Sequence, residues 1–116
     1  MRHRVKGKKL DRLKAPREAM LKNLASSIII YEKVKTTEAK AKTVKPLLEK
    51  IITKSIKGGL ASRRELIKLL PQPMAVKKAM EILAVKYKDK KGGYLRIIKL
   101  ENRIGDNANM VQIELV

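Results

Sequence analysis

The chain has 116 residues, with 29 Lys plus Arg against 11 Asp plus Glu, a formal net charge of +18 and a pI near 10.4. It has no cysteine, one histidine (His3) and three tyrosines as its only aromatics. That excludes disulfides, thiolate chemistry, zinc fingers and iron–sulfur clusters, and leaves no set of ligands for an ordinary transition-metal site. The length suits one domain around an aliphatic core. The charge draws the chain to polyanions, which means nucleic acid or an anionic membrane. No apolar run approaches the ~18 residues needed to span a bilayer. Nor does an apolar stretch follow the basic N-terminus as a signal peptide requires, so the expectation is a cytosolic protein, complete from Met1.

The first seventeen residues, Met1 to Arg17, hold eight Lys or Arg against the single acid Asp11. Only Val5, Leu10 and Leu13 offer sizeable apolar side chains. So sparse a set does not offset the entropy of ordering, and the segment is expected to become ordered against a dense array of phosphates. Arginine at positions 2 and 4 suits forked contacts to phosphate oxygens. Residues 1–15 are therefore read as a basic N-terminal arm that binds a nucleic-acid backbone, and residues 16–116 as a single globular α/β domain.

Pro16 reads as the first position of a helix, where its missing N–H is tolerated. Ala19, Met20, Leu21, Leu24, Ala25 and Ile28 form its apolar stripe, opposite Arg17, Lys22, Asn23 and Ser26. β-Branched residues and alternation predict a short strand from Tyr31 to Lys35. Thr36-Thr37-Glu38 is a helix start, with a threonine cap and an acid in the first turn. The second helix is predicted from Glu38 to about Lys57, kinked but continuous at Pro46 because the apolar phase is kept on both sides. Gly58-Gly59 ends it, and Lys40, Lys42, Lys45, Lys50, Lys54 and Lys57 make its outer surface basic. A third helix spans Ser62 to Leu70, with Leu66, Ile67, Leu69 and Leu70 inward and Arg63-Arg64 outward. A fourth spans Met74 to Tyr87. After the exposed turn Lys88 to Gly93, the period changes to that of two strands, Tyr94 to Leu100 and Met110 to Val116, joined by a loop rich in Asn, Asp and Gly. The predicted fold is α/β (α+β): a small three-stranded mixed sheet packed with about four helices, in the order α-β-α-α-α-β-β.

Catalysis finds no support in the chain. A Ser or Thr nucleophile would have to borrow His3 from the arm as its base. The carboxylates are scattered rather than converging on a metal pair, and neither Gly-Gly pair is followed by the lysine and threonine of a phosphate loop. Aromatic platforms for stacking bases are lacking as well. What remains is a cationic surface suited to nucleic acid, read through phosphate and shape. The candidate RNA-binding residues in the arm and first helix are Arg2, His3, Arg4, Lys6, Lys8, Lys9, Arg12, Lys14, Arg17 and Lys22. Around the second helix start they are Lys35, Thr36, Thr37 and Lys40; further on they are Arg63, Arg64, Arg96 and Arg103. Thr36-Thr37 either holds a phosphate on free N–H groups or simply caps the helix. Arg63-Arg64 is either a phosphate contact or a solvated face. Tyr94 has a strand position that favours partial burial over base stacking. In the last loop Asp106 is expected to bond backbone amides, leaving Arg103 free for RNA.

Several separated motifs, in order along the chain, resemble the family of protein seventeen of the bacterial large ribosomal subunit. The arm begins Met1-Arg2-His3-Arg4 and continues Gly7-x-Lys9-Leu10-x-Arg12. Then come Arg17-x-Ala19-Met20, Lys35-Thr36-Thr37, Lys40-Ala41-Lys42, Pro46 and Arg63-Arg64. The C-terminal signature is Gly92-Gly93-Tyr94-x-Arg96-Ile97, then Arg103-x-Gly105-Asp106-Asn107-Ala108 and Ile113-Glu114-Leu115. The chain departs from the family pattern at Ala15-Pro16, where polar residues and a histidine are usual, and at Asn109, where proline is common. The resemblance implies a structural constituent of the large subunit that binds 23S rRNA beside neighbouring ribosomal proteins, on the solvent side toward the peptide exit region. It implies no cofactor and no small-molecule substrate. The competing reading is a free-standing basic RNA- or DNA-binding protein that compacts or regulates nucleic acid.

Overall fold

The computed structural model describes residues 14–116. Over that span the chain forms α1 (Lys14–Tyr31), β1 (Lys33–Thr37), α2 (Glu38–Lys57), α3 (Gly59–Leu69), α4, β2 (Leu95–Lys99) and β3 (Met110–Leu115). The helix α4 is one unbroken rod: α-helical over Pro73–Lys78, π-helical over Ala79–Leu83 and α-helical again over Ala84–Lys86. The α+β class and the predicted element order stand. Residues 1–13 lie outside the described residues, while Lys14 and Ala15, placed in the arm from sequence, are already helical.

The end of α1 shows how tertiary burial overrides local propensity. Ile28-Ile29-Ile30-Tyr31 looks like the lead-in to a strand, yet Ile28 and Ile29 are fully buried on the helix face, and the helix continues to Tyr31. It stops because Glu32 takes a left-handed backbone (φ 65), and the Glu32 N–H donates to the Ile28 carbonyl at 2.7 Å. That is the geometry of a helix terminus usually given to glycine. Lys78 of α4 completes the cap, its Nζ donating to the Ile30 carbonyl at 2.9 Å. The strand consequently starts at Lys33 and runs to Thr37 rather than covering Tyr31 to Lys35. Two assignments on α1 are also corrected. Ala19 is exposed, and Ser26, expected on the polar side, is fully buried.

On α2, Ala41, Val44, Leu48, Ile51 and Ile52 are all fully buried, the stripe that the spacing of three and four requires. The helix passes through Pro46 without interruption. Pro46 and Lys42 are both exposed, and the missing N–H of Pro46 leaves the Lys42 carbonyl without its helical partner on that outer side. Gly58 (φ 70) and Gly59 (φ 91) then turn the corner, and α3 begins at Gly59 instead of Ser62. Leu66 and Leu70 point inward, but Ile67 is 57% exposed, contrary to its predicted inward placement. Ala75, Ala79 and Leu83 on α4 and Tyr87 at its C-terminal cap are all buried. Steps of four overrun an α-helical turn of 3.6 residues. The π turn over Ala79–Leu83 takes in the excess and keeps the stripe facing the core.

The sheet order is β1-β3-β2. Both pairings are antiparallel, with Val34 and Ile97 each opposite Ile113. The expectation of a mixed sheet is thus corrected. β1 and β2 do run the same way, but β3 lies between them, so no two neighbouring strands among the described residues are parallel. Val111, Ile113, Leu115 and Leu95 are buried against the helices. Lys33, Lys35, Gln112, Glu114, Arg96 and Ile98 fall on the other face by strand alternation. Tyr87 and Tyr94 meet with ring centroids 5.2 Å apart. Their hydroxyls donate to the Val116 carbonyl at 2.7 Å and the Lys90 carbonyl at 2.9 Å. Tyr94 is therefore a buried brace for the turn before β2, as its strand position suggested, and not a stacking platform.

Candidate nucleic-acid interface

A cation is available to a phosphate only if no carboxylate already holds it. By that criterion the predicted residues divide. The Nε and Nη2 atoms of Arg96 donate to Oε1 of Glu114, directly across the β2–β3 pairing, at 2.9 and 2.7 Å. That hydrogen bond and charge hold the Glu114 carboxyl below its usual range. Arg103 grips Asp106 through two bonds of 3.0 and 2.6 Å. Asp106 also accepts from the Ala108 N–H at 3.2 Å. The Arg103 bond, followed by the Ala108 amide, lowers the Asp106 carboxyl to about 2. Asp106 thus does fix the turn through the backbone, but Arg103 is not left free: the same carboxylate engages both. Two forked arginines predicted for RNA are tied up within the sheet and its loop.

The α2 start falls at Glu38, where the sequence places it, and the geometry there is that of a cap. Thr36 faces the core and is buried, its neighbour across the sheet being Val111. Thr37 is the cap (φ −72, ψ 152), its Oγ1 accepting from the Lys40 N–H at 3.4 Å. The Glu38 N–H is already taken by the Asn109 carbonyl at 2.9 Å. Glu38 itself supplies the negative charge in the first turn and pairs with Lys42 at 2.7 Å. The helix dipole here faces a carboxylate of the chain's own, so this terminus is a cap and a poor place for a phosphate.

Lys14, Arg17, Lys22, Lys35, Lys40, Arg63 and Arg64 make no ion pair among the described residues. Arg63 and Arg64 are fully on the surface of α3, and Lys22 is half-buried. Lys22 shares a cleft of about 370 Å³ with Ala15, Glu18, Ala19, Asn23, Lys68 and Pro71. Lys68 was absent from the sequence-derived set. Its signal was present in the helical phase of α3, where it lies opposite buried Leu66. Lys50 on the outer side of α2 also makes no ion pair among the described residues, while Lys57 lies within the field of Glu65. Arg2, His3, Arg4, Lys6, Lys8, Lys9 and Arg12 lie outside the described residues. Among the described residues no group of His, Cys, Asp or Glu could hold a metal ion, and no helix is long and apolar enough to cross a membrane.

Fold and surface together define a small, strongly basic α+β protein whose unpaired cations sit mainly on its helices. Comparison with known proteins makes the assignment specific. Residues 20–116 match the family described as Ribosomal protein L17. The chain is 47% identical over 116 residues to the large ribosomal subunit protein bL17 of Bradyrhizobium diazoefficiens, covering all of this chain and 84% of that protein. The bL17 protein of Syntrophotalea carbinolica is 44% identical over 116 residues, covering all of this chain and 75% of that one. The bL17 protein of a Hydrogenobaculum species is 44% identical over 117 residues, covering all of this chain and 99% of that one. The chain belongs to the ribosomal protein L17 family, a family of structural ribosomal proteins and not of enzymes.

Proposed function

We propose that this chain is a structural constituent of the large ribosomal subunit in the bacterial cytoplasm, where it binds and stabilises folded 23S rRNA beside neighbouring ribosomal proteins. Membership in the L17 family carries the reading. The unpaired cations of α1, α2 and α3 supply the physical means, since phosphate neutralisation by Lys and Arg drives sequence-independent affinity. In this reading the basic N-terminal segment acts as an arm through Arg2, His3, Arg4, Lys6, Lys8, Lys9 and Arg12, and residues 14–116, from the first residue of α1, dock as one globular unit. Lys14, Arg17, Lys22, Lys35, Lys40, Arg63 and Arg64 add phosphate contacts, while Arg96 and Arg103 brace the sheet and loop.

Two measurements test it. After a high-salt wash, the protein should remain in large subunits at near one copy each; loss from the particle would favour a free-standing nucleic-acid-binding protein. Deleting Met1 to Arg12 should leave the circular dichroism spectrum intact while affinity for 23S rRNA collapses. Unchanged affinity would remove the arm from the interface.

A further inference from the structure

We propose that α3 docks on a double-helical segment of RNA, laying its outer ridge along the shallow minor groove; this rests on the rRNA-binding reading above. The ridge follows from helical phase. Ser62, Leu66 and Leu70 are buried, so the opposite side of the helix is formed by Leu60, Arg64, Ile67 and Lys68. Leu60 is 65% exposed and Ile67 57%. Seven residues apart, they stand about 10.5 Å apart along the axis. Two large aliphatic side chains are thus held in water on a helix that has a separate face buried in the core.

Charge selects the partner. Arg63, Arg64 and Lys68 make no ion pair among the described residues. The one acid of α3, Glu65, is engaged by Lys54 of α2 at 2.9 Å. The ridge therefore presents an apolar strip edged by three cations: Arg63 and Arg64 pair with no acid among the described residues, and Lys68 feels only the field of Glu65, whose carboxylate Lys54 already holds. The minor groove of A-form RNA is wide and shallow, exposes ribose and 2′-hydroxyls, and is walled by phosphates, whereas its major groove is too deep and narrow for side chains. Leu60 and Ile67 can lie against the ribose carbons that this shallow groove exposes. Arg63, Arg64 and Lys68 reach the phosphate walls.

The test uses the full chain and an RNA duplex of about 16 base pairs, long enough to present successive minor grooves, beside the DNA duplex of the same sequence. R63Q/R64Q/K68Q should lower the salt slope of duplex binding by about 2 to 3, which is three contacts' worth. L60S/I67S should weaken RNA binding about tenfold at an unchanged salt slope and shrink the preference for RNA over DNA. All five side chains are exposed, so circular dichroism should be unchanged. Wild-type affinity and slope in both variants, with 23S rRNA binding intact, would overturn the docking of α3 and leave the rRNA reading standing. Loss of L60S/I67S from subunits at unchanged duplex affinity would also overturn it and mark the ridge as a protein contact. Failure of the wild-type chain to bind 23S rRNA would remove the rRNA reading itself, and this inference with it.

Discussion

Lys78→Met isolates the contact that ends α1. Methionine keeps the aliphatic stem and removes the ammonium. In the native fold Nζ donates to the Ile30 carbonyl at 2.9 Å, lies 3.8 Å from the Glu32 carboxylate, and belongs to a side chain only 19% exposed. Ile30 is in the last turn of α1, where carbonyls lack a helical N–H partner and a cation is favoured by the dipole. A hydrogen bond from a charged donor contributes about 1.5–3 kcal/mol. The pair with half-exposed Glu32 adds less than about 1 kcal/mol. Partial exposure places the total at the low end, about 1.5–2 kcal/mol. In a domain of this size 1 kcal/mol shifts Tm by about 4 °C, so the substitution should lower it by about 6–8 °C. Thermal unfolding followed by circular dichroism reads this directly. A double-mutant cycle with Glu32→Gln separates the two partners. A fall in Tm below about 2 °C, or one no larger than Glu32→Gln alone produces, would refute the claim that the Ile30 carbonyl is the principal contact.

The remaining predictions concern side chains with equally specific surroundings. The Ser26 hydroxyl is fully buried and has no hydrogen-bond partner among the described residues, so Ser26→Ala should stabilise by about 1 kcal/mol. The urea midpoint should rise at constant m-value; a lower midpoint would mean the hydroxyl is satisfied. Asp106 has a folded pKa of about 2, below its ordinary 3.8, chiefly through Arg103. Its contribution is thus present above the ordinary value and is lost as pH falls toward about 2. A carboxyl NMR titration should show this, and Arg103→Gln should return the midpoint toward the ordinary value. Burial raises the Tyr87 hydroxyl above its ordinary 10 despite the nearby Lys86. Its contribution is full below pH 10 and lost as pH rises through the folded value, so ultraviolet titration should find one tyrosine ionising late and together with alkaline unfolding.

How much of the fold was legible in the sequence depended on whether a signal was local. The phase of Val44, Leu48, Ile51 and Ile52 fixed α2 and its buried face, and alternation fixed β3, because those periods belong to the backbone itself. The limits of β1 were hidden. Whether Ile29 to Tyr31 extend a helix or a strand depends on what buries Ile28 and Ile29, and on a lysine 46 residues beyond Glu32 in the chain. The sheet direction was equally closed to a linear reading, since only packing puts β3 between β1 and β2.

The candidate interface divided along the same line. Net charge of +18 and the placement of arginines announced a partner made of phosphate, since composition alone sets the long-range field. Tertiary structure decided which cations are spoken for. Arg96 meets Glu114 only through strand pairing, and Lys54 meets Glu65 only because two glycines fold α3 beside α2. A charge is a property of one residue, but its availability is a distance between two, and that distance exists only after folding.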